Sequence, residues 1–304
     1  MAQTRASGVT PVPSVGTEHV IDVSDLTYTY PKGTEPAVRE MSFSVAQGEV
    51  FGFLGPSGAG KSTTQKILIG LLSGARGDVH VWGRAPRDRG QEYYQRIGVS
   101  FELPNHYQKL TALENLEFFA SLYSVPTEDP MALLRRVGLD EAAHTRVGRF
   151  SKGMQSRLTF VRALLNRPEL VFLDEPTTGL DPRNARVVKD MIAELRDQGR
   201  TVFMTTHSME TAEELCDRVA FVVDGRIAAL DSPAELKLAR SRRRVRVAYR
   251  GGDGSLESAD FPMDGMADDP DLLTVLRERR VESIHSQEAD LNDVFVEVTG
   301  RSLS

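Results

Sequence analysis

One segment, VFGFLGPSGAGKS from Val50 to Ser62, constrains the fold more tightly than anything else in the chain. Val50 to Leu54 form an apolar run of the length and type found in buried strands. The loop that follows, Gly55-Pro56-Ser57-Gly58-Ala59-Gly60, is built from small residues. Lys61-Ser62-Thr63 then open a stretch in which Ile67, Leu68, Leu71 and Leu72 keep helical spacing. A strand that turns into a helix through such a loop can fold its backbone N–H groups inward, and the helix adds the positive end of its dipole. The spacing G-x-x-x-x-G-K-[ST] is that of a phosphate cradle. Gly55 to Ser62, with Thr63 behind them, are therefore the expected phosphate-binding residues. Lys61 reaches for the β- and γ-phosphates, and Ser62 offers its hydroxyl to Mg²⁺.

The rest of the chain supplies a sheet around that loop. HVIDVSDLTYTY and AVREMSFSV alternate apolar and polar residues like half-buried strands, with Pro31, Gly33 and Pro36 in the turn between them. From Leu170, strands and helices alternate: LVFLDEP, VVKDMIAELRDQG, TVFMTTH, METAEELCDRV, AFVVDGRIAAL. That alternation implies a largely parallel sheet covered on both faces. Residues 104–165 have helical patterns such as ALENLEFFASLY and form a mainly helical insertion in this α/β core. Residues 1–17 have the composition of a disordered tail, 18–235 make the main domain, and 236–304 make a small α+β accessory domain. The accessory domain opens on a basic run, RSRRRVRV (Arg240 to Val247), taken as a solvated strand face and not a nucleic-acid site.

Composition narrows the function classes. A formal net charge of −6 weighs against a nucleic-acid partner. Cys216 is the only cysteine, which excludes an internal disulfide and a cysteine zinc cage. No stretch approaches the ~18 consecutive apolar residues of a spanning helix, so a membrane role must pass through a partner.

A phosphate cradle needs an acid to hold the metal and a group to handle the attacking water. ELVFLDEP carries both: an apolar strand delivers Asp174 and Glu175 to its C-terminal end, where α/β sheets keep their ligands. Asp174 is the expected Mg²⁺ ligand and Glu175 the expected general base. Two acids at the end of a buried strand are costly without a cation.

Taken in order, these residues resemble the ABC ATPase family. FSKGMQ (Phe150 to Gln155) is similar to that family's LSGGQ signature, with Lys152 in the first glycine's place. GLDP (Gly179 to Pro182) is similar to its D-loop, and His207 matches its switch histidine. Tyr30, four residues after Leu26, matches the aromatic residue that stacks on adenine. The resemblance covers residues 19–235. It is nearest to the ATPase subunits of daunorubicin-resistance, multidrug and polyketide exporters, on YPKG…AVREMSFSV, SKGMQ, Glu102 and the terminal LNDVFVEVTG.

The resemblance implies a P-loop NTPase (RecA-like) core with an antiparallel β subdomain and an inserted helical subdomain, binding ATP and Mg²⁺. It implies a homodimer in which the signature of one protomer closes over the γ-phosphate held by the other. Ser151, Lys152, Gly153, Met154 and Gln155 then face the partner's ATP, at the start of a helix near Met154, and Asp181 acts across the interface. His207 contacts the γ-phosphate. Glu102 stands where the family commonly has Gln and is the third expected Mg²⁺ ligand, with Ser62 and Asp174. Separate integral-membrane permease subunits are implied, docked on the segment after Glu102 with Tyr107, Phe118 and Phe119 as candidate contacts, at the cytoplasmic face of the membrane. An alternative reading is an ABC ATPase acting on nucleic acid or ribosomes; neither a coiled-coil interruption nor a second ATPase domain is present to favour it.

Overall fold

Apolar runs that are buried on both faces form the central sheet. The computed structural model describes residues 19–85, 88–240, 244–287 and 290–301, so the expected tail at 1–17 and part of the basic run lie outside the described residues. The elements in chain order begin β1 (His19–Tyr28), β2 (Val38–Ala46), β3 (Val50–Leu54), α1 (Lys61–Ile69), β4 (Arg76–Val81), α2 (Gln91–Arg96) and β5 (Ile97–Ser100). After these come α3 (Ala112–Ala120), α4 (Pro130–Arg136), α5 (Lys152–Arg162), β6 (Leu170–Asp174), α6 (Pro182–Asp197), β7 (Thr201–Thr206), α7 (Met209–Leu215), β8 (Arg218–Val223) and β9 (Arg226–Asp231). The chain continues with α8 (Pro233–Arg240), β10 (Arg244–Arg250), β11 (Leu256–Pro262), α9 (Pro270–Glu278), β12 (Arg280–Gln287) and α10 (Leu291–Thr299).

The six-stranded sheet has the order β5-β6-β7-β3-β8-β9. Its first five strands run parallel, and β9 turns back antiparallel from β8. That hairpin turns at Asp224-Gly225, where both residues have positive φ, 50° and 78°, the conformation that matches strand twist in a two-residue turn. Every residue of β3 and β6 is buried, as the unbroken apolar runs require.

A second sheet, β2-β1-β4, is antiparallel and covers one face of the first. Its alternating strands bury Phe43, which packs on Phe53 with ring centroids 4.9 Å apart; Phe53 in turn meets Phe203 of β7 at 5.0 Å. α1 is buried in the same layer through Ile67, Leu68 and Ile69. The opposite face is covered by α3 to α7. The 104–165 insertion is less helical than its pattern suggests: fewer than half of its residues lie in α3, α4 and α5, and long turns join them. Pro130, Gly138 and the capped starts of α3 and α4 at Thr111 and Asp129 interrupt the periodic pattern.

The third sheet, β11-β10-β12, is a three-stranded antiparallel unit with its own small core of Val245, Val247, Phe261 and Leu272 under α9. Strands β11 and β12 have no apolar alternation strong enough to mark them in the sequence. The expected boundary after residue 235 cuts through a shared core. Leu236, Leu291, Val294 and Phe295 all belong to the hydrophobic cluster of the main sheet, and the Phe295 ring meets Phe221 of β8 at 5.1 Å. The last helix therefore holds the small sheet to the core by burying α10 beside α7 and α8. Phe295 is fully buried, so Phe295→Ala is expected to lower the unfolding free energy of the whole chain by about 3–5 kcal/mol, the usual cost of such a cavity. Urea denaturation followed by far-ultraviolet circular dichroism checks it; a change confined to the small sheet would contradict the shared core.

Candidate nucleotide-binding site

The site gathers at the C-terminal ends of β3, β6 and β7, the edge where open α/β sheets hold ligands. Between β3 and α1 the loop passes so close to its neighbours at two of its glycines that no side chain fits there. A Cβ on Gly55 would lie 2.1 Å from the Val222 carbonyl oxygen, and one on Gly60 would lie 2.5 Å from that of Ala37. Gly60 also caps α1 at φ 102°, which only glycine adopts at little cost. Lys61 Nζ lies along the inside of this loop, donating to the carbonyls of Gly55 at 2.6 Å and Pro56 at 3.0 Å. Burial holds its pKa below the ordinary value, while the charges of Glu175, Asp174 and Glu102 act against that.

Ser62 and Asp174 meet here from distant parts of the chain: Ser62 Oγ donates to Asp174 Oδ1 at 3.1 Å. The Thr205 hydroxyl donates to the same carboxylate oxygen. Glu175 follows with φ 51°, a backbone conformation that strains a side-chain-bearing residue and clusters at functional sites. The strain is held by its N–H, which donates to Thr205 O at 3.0 Å across the β6–β7 pair. Its carboxylate is gripped at both oxygens, with Oε1 2.9 Å from His207 Nδ1 and Oε2 accepting from Thr178 Oγ1 at 3.0 Å. Thr205 and Thr178 were not singled out from the sequence; the TTH and EPTT runs around His207 and Glu175 were the available signal.

Tyr30 comes to the loop from the turn after β1. Its hydroxyl is 3.1 Å from Thr63 Oγ1, and its ring stands edge-on to Tyr28 at 5.1 Å. The signature segment is a helix start, as expected, but α5 begins at Lys152 and not near Met154. Ser151 supplies the cap, accepting from Met154 N at 3.3 Å and so satisfying one of the unpaired N–H groups of the first turn. Gln155 turns back, donating from Nε2 to Phe150 O at 3.2 Å. Lys152 lies along Gly179 of the D-loop, and Gly153 packs near Gly179 and Leu180. Asp181 caps α6, and its carboxyl is held below the usual range by hydrogen bonds from Asn184.

Glu102 is exposed and lines a cavity of about 20 Å³ together with Asp174, Glu175, Thr178, Lys152 and Ser156. Two of the positions that depart from the resembled pattern, Glu102 and Lys152, therefore share one cavity. No group of three or more acidic, histidine or cysteine side chains converges as a metal cage among the described residues. Ser62 and Asp174 supply a pair of converging oxygens beside the loop. That suits Mg²⁺, which takes one or two protein oxygens and fills the rest of its shell with phosphate and water.

A groove of about 460 Å³ opens between the main sheet and the helical insertion, lined by Tyr94, Asn105, Phe119, Leu122, Tyr123 and Arg162 among others. Of the three aromatics expected at a docking surface only Phe119 lines it; Tyr107 and Phe118 are exposed outside it. Among the described residues no helix is long and apolar enough to cross a membrane.

Comparison with known proteins gives the family. The ABC transporter family model matches residues 38–178, and a model described as the fluoroquinolone efflux ABC transporter C-terminal domain matches residues 243–288. A fluoroquinolones export ATP-binding protein of Mycobacterium tuberculosis (strain CDC 1551 / Oshkosh) is 68% identical over 290 residues, covering 95% of this chain and 96% of that protein. The Nod factor export ATP-binding protein I of Rhizobium meliloti (strain 1021) is 35% identical over 99% of this chain and 94% of its own length. Among solved structures, a dimeric ATP-binding cassette bound to ADP and Pi matches with TM-score 0.63 and 28% identity, over 70% of this chain and 98% of that one. The ATP-binding subunit of an ABC transporter matches with TM-score 0.66 and 30% identity, over 72% and 92%. The chain belongs to the ATP-binding proteins of ABC transporters. It binds ATP and hydrolyses it in the service of transport.

An amide keeps the oxygen donor of Glu102 and removes one negative charge beside the phosphates. Glu102→Gln is therefore expected to retain ATPase activity to within about a factor of three, a change of less than ~1 kcal/mol in barrier. Steady-state phosphate release measures it. Complete loss would show that the carboxylate itself takes part in the chemistry.

Proposed function

We propose that this chain energises the export of fluoroquinolone-type compounds through separate membrane subunits, as a homodimer that closes around ATP and Mg²⁺ at the cytoplasmic face of the membrane. The observation that carries the mechanism is the double grip on Glu175, held by His207 at one oxygen and Thr178 at the other. A general base must be aimed before it can act, and these two contacts fix the carboxylate beside the Ser62–Asp174 pair.

In this reading the loop from Gly55 to Gly60 takes the phosphates on its N–H groups, Lys61 turns its ammonium to the β- and γ-phosphates, and Tyr30 offers its ring to adenine. Ser62 and Asp174 hold Mg²⁺, with Glu102 on the wall of the adjoining cavity; bound there, the ion neutralises charge on the phosphate oxygens. Glu175 accepts a proton from the attacking water. His207, as an imidazolium, donates from Nδ1 to Glu175 and from Nε2 to a γ-phosphate oxygen. Ser151 and Gly153, at the N-terminus of α5, meet the nucleotide held by the second copy, because a helix N-terminus favours an anion; Asp181 aligns the opposite site. The groove beside Phe119 takes the membrane subunits. The identity to a fluoroquinolones export protein across nearly the full length of both chains supports the cargo class.

Glu175→Gln removes the base and keeps the shape. It is expected to lower the ATPase rate by roughly 10²–10⁴-fold and to leave an ATP-bound dimer that persists in size-exclusion chromatography. Tight ATP binding with a persistent monomer would rule out the closed dimer. The cargo is tested separately: cells carrying the intact transporter are expected to retain less of a fluorescent fluoroquinolone than cells carrying the Lys61→Ala form, and equal retention would exclude this cargo.

A further inference from the structure

His106 is a buried imidazole that the mechanism above does not use. It lies on the loop after Glu102 and reaches into α5. Its Nε2 is 2.8 Å from Thr159 Oγ1 and 3.2 Å from the carbonyl oxygen of Gln155, and its Nδ1 is 3.4 Å from Arg162 Nη1. The protonation follows from the partners. A guanidinium only donates, so Nδ1 accepts, and the ring proton sits on Nε2, where it is given to Gln155 O or Thr159 Oγ1. The Thr159 hydroxyl donates onward to the same Gln155 carbonyl at 2.9 Å. Burial and the Arg162 charge push the imidazole down to about 4, so the neutral ring is the form that fits.

Arg162 carries this contact to the groove. It is buried, its pKa pushed down by burial to about 10. Its Nη1 donates to Asn105 O at 3.3 Å, its Nη2 donates to Asn105 Oδ1, and its guanidinium lies 4.5 Å from the centre of the Phe119 ring. Asn105, Phe119 and Arg162 all line the groove. At the other end, Gln155 is the last residue of the signature segment, and its side chain is tied to Phe150 O, just ahead of the Ser151 cap. A continuous path of contacts thus runs from the groove wall through Arg162 and His106 to the first turn of α5. Each link is a directional hydrogen bond or ring contact inside a packed interior, which transmits displacement and does not absorb it.

We propose that His106 is a positioning residue that couples occupation of the groove to the signature segment: a membrane subunit seated against Asn105 and Phe119 shifts Arg162, and His106 passes that shift to the Gln155 carbonyl and so to Ser151 and Gly153. The inference rests on the groove being the membrane subunits' dock. It gives the docked subunit a route to the half of the site that closes on the second copy's nucleotide.

The test compares His106→Leu in the isolated subunit and in the intact transporter reconstituted in lipid vesicles. Leucine fills the space and makes none of the three polar contacts. The expected result is an isolated subunit whose melting temperature and ATPase rate stay within about twofold of the parent chain, and an intact transporter whose additional ATPase falls about tenfold, a usual size for coupling between two sites. His106→Gln, which restores a donor toward the Gln155 carbonyl, is expected to recover a large part of that loss. Unchanged activity in the intact transporter overturns the proposal. So does an equal loss in isolated subunit and transporter, or failure of both variants to fold, since either makes His106 merely structural. Leu122→Glu tests the dock by itself. It is expected to abolish co-purification of the membrane subunits; retention would refute the dock and with it the route through His106, whereas lost co-purification with an unchanged His106→Leu transporter would overturn the route alone. His106→Leu keeps co-purification.

Discussion

The contact between Ser62 and Asp174 is the constraint on which the rest of the site depends. Its two residues are held by different strands: Ser62 begins the helix after β3, and Asp174 ends β6. Only the parallel order β6-β7-β3 brings those ends to one edge with β7 between them. Thr205 of β7 then bonds to Asp174, and its carbonyl receives the strained N–H of Glu175. A single strand thus fixes Asp174 and aims the Glu175 that follows it. Burial of every residue in β3 and β6 makes this arrangement stiff, and stiffness is what a preorganised site requires.

The same sheet explains why so many charged groups are tolerated in one place. Asp174 and Lys61 are buried, Glu175 is nearly so, and Glu102 adds its field from the rim. Asp174 and Glu175 are held this close together because each is hydrogen-bonded, while Glu102 stays exposed. Lys61 on the loop carbonyls, Ser62 on Asp174 and His207 on Glu175 satisfy the same groups from within the chain.

The distant ends of the chain are drawn into that core. α10 buries Leu291, Val294 and Phe295 beside α7, against the strand that follows the switch region. The elements on either side of the small sheet are thereby anchored in the main core, by Leu236 before it and by Phe295 after it. On the other side of the molecule, His106 and Arg162 give the helical insertion a polar spine in place of a purely apolar contact.

The sequence alone determined the local chemistry. Gly55 to Ser62 mark a phosphate loop by their spacing between an apolar run and a helical pattern, and the apolar runs before Gly55 and Asp174 have the length and type of buried strands. Short-range rules of this kind are written in consecutive residues; Asp174 and Glu175 are expected from them, and His207 from the family resemblance. The tertiary structure decided everything that depends on residues far apart in the chain. Thr205 and Thr178 became partners of the acids only through strand pairing and the turn after β6. Leu236 and Phe295 joined the main core although the sequence between them marks a separate unit, and weakly patterned β11 and β12 formed because β10 offered both of its edges. The start of α5 at Lys152 and the role of His106 likewise depend on which side chains a packed interior leaves as hydrogen-bond partners, and periodicity along the chain does not encode that choice.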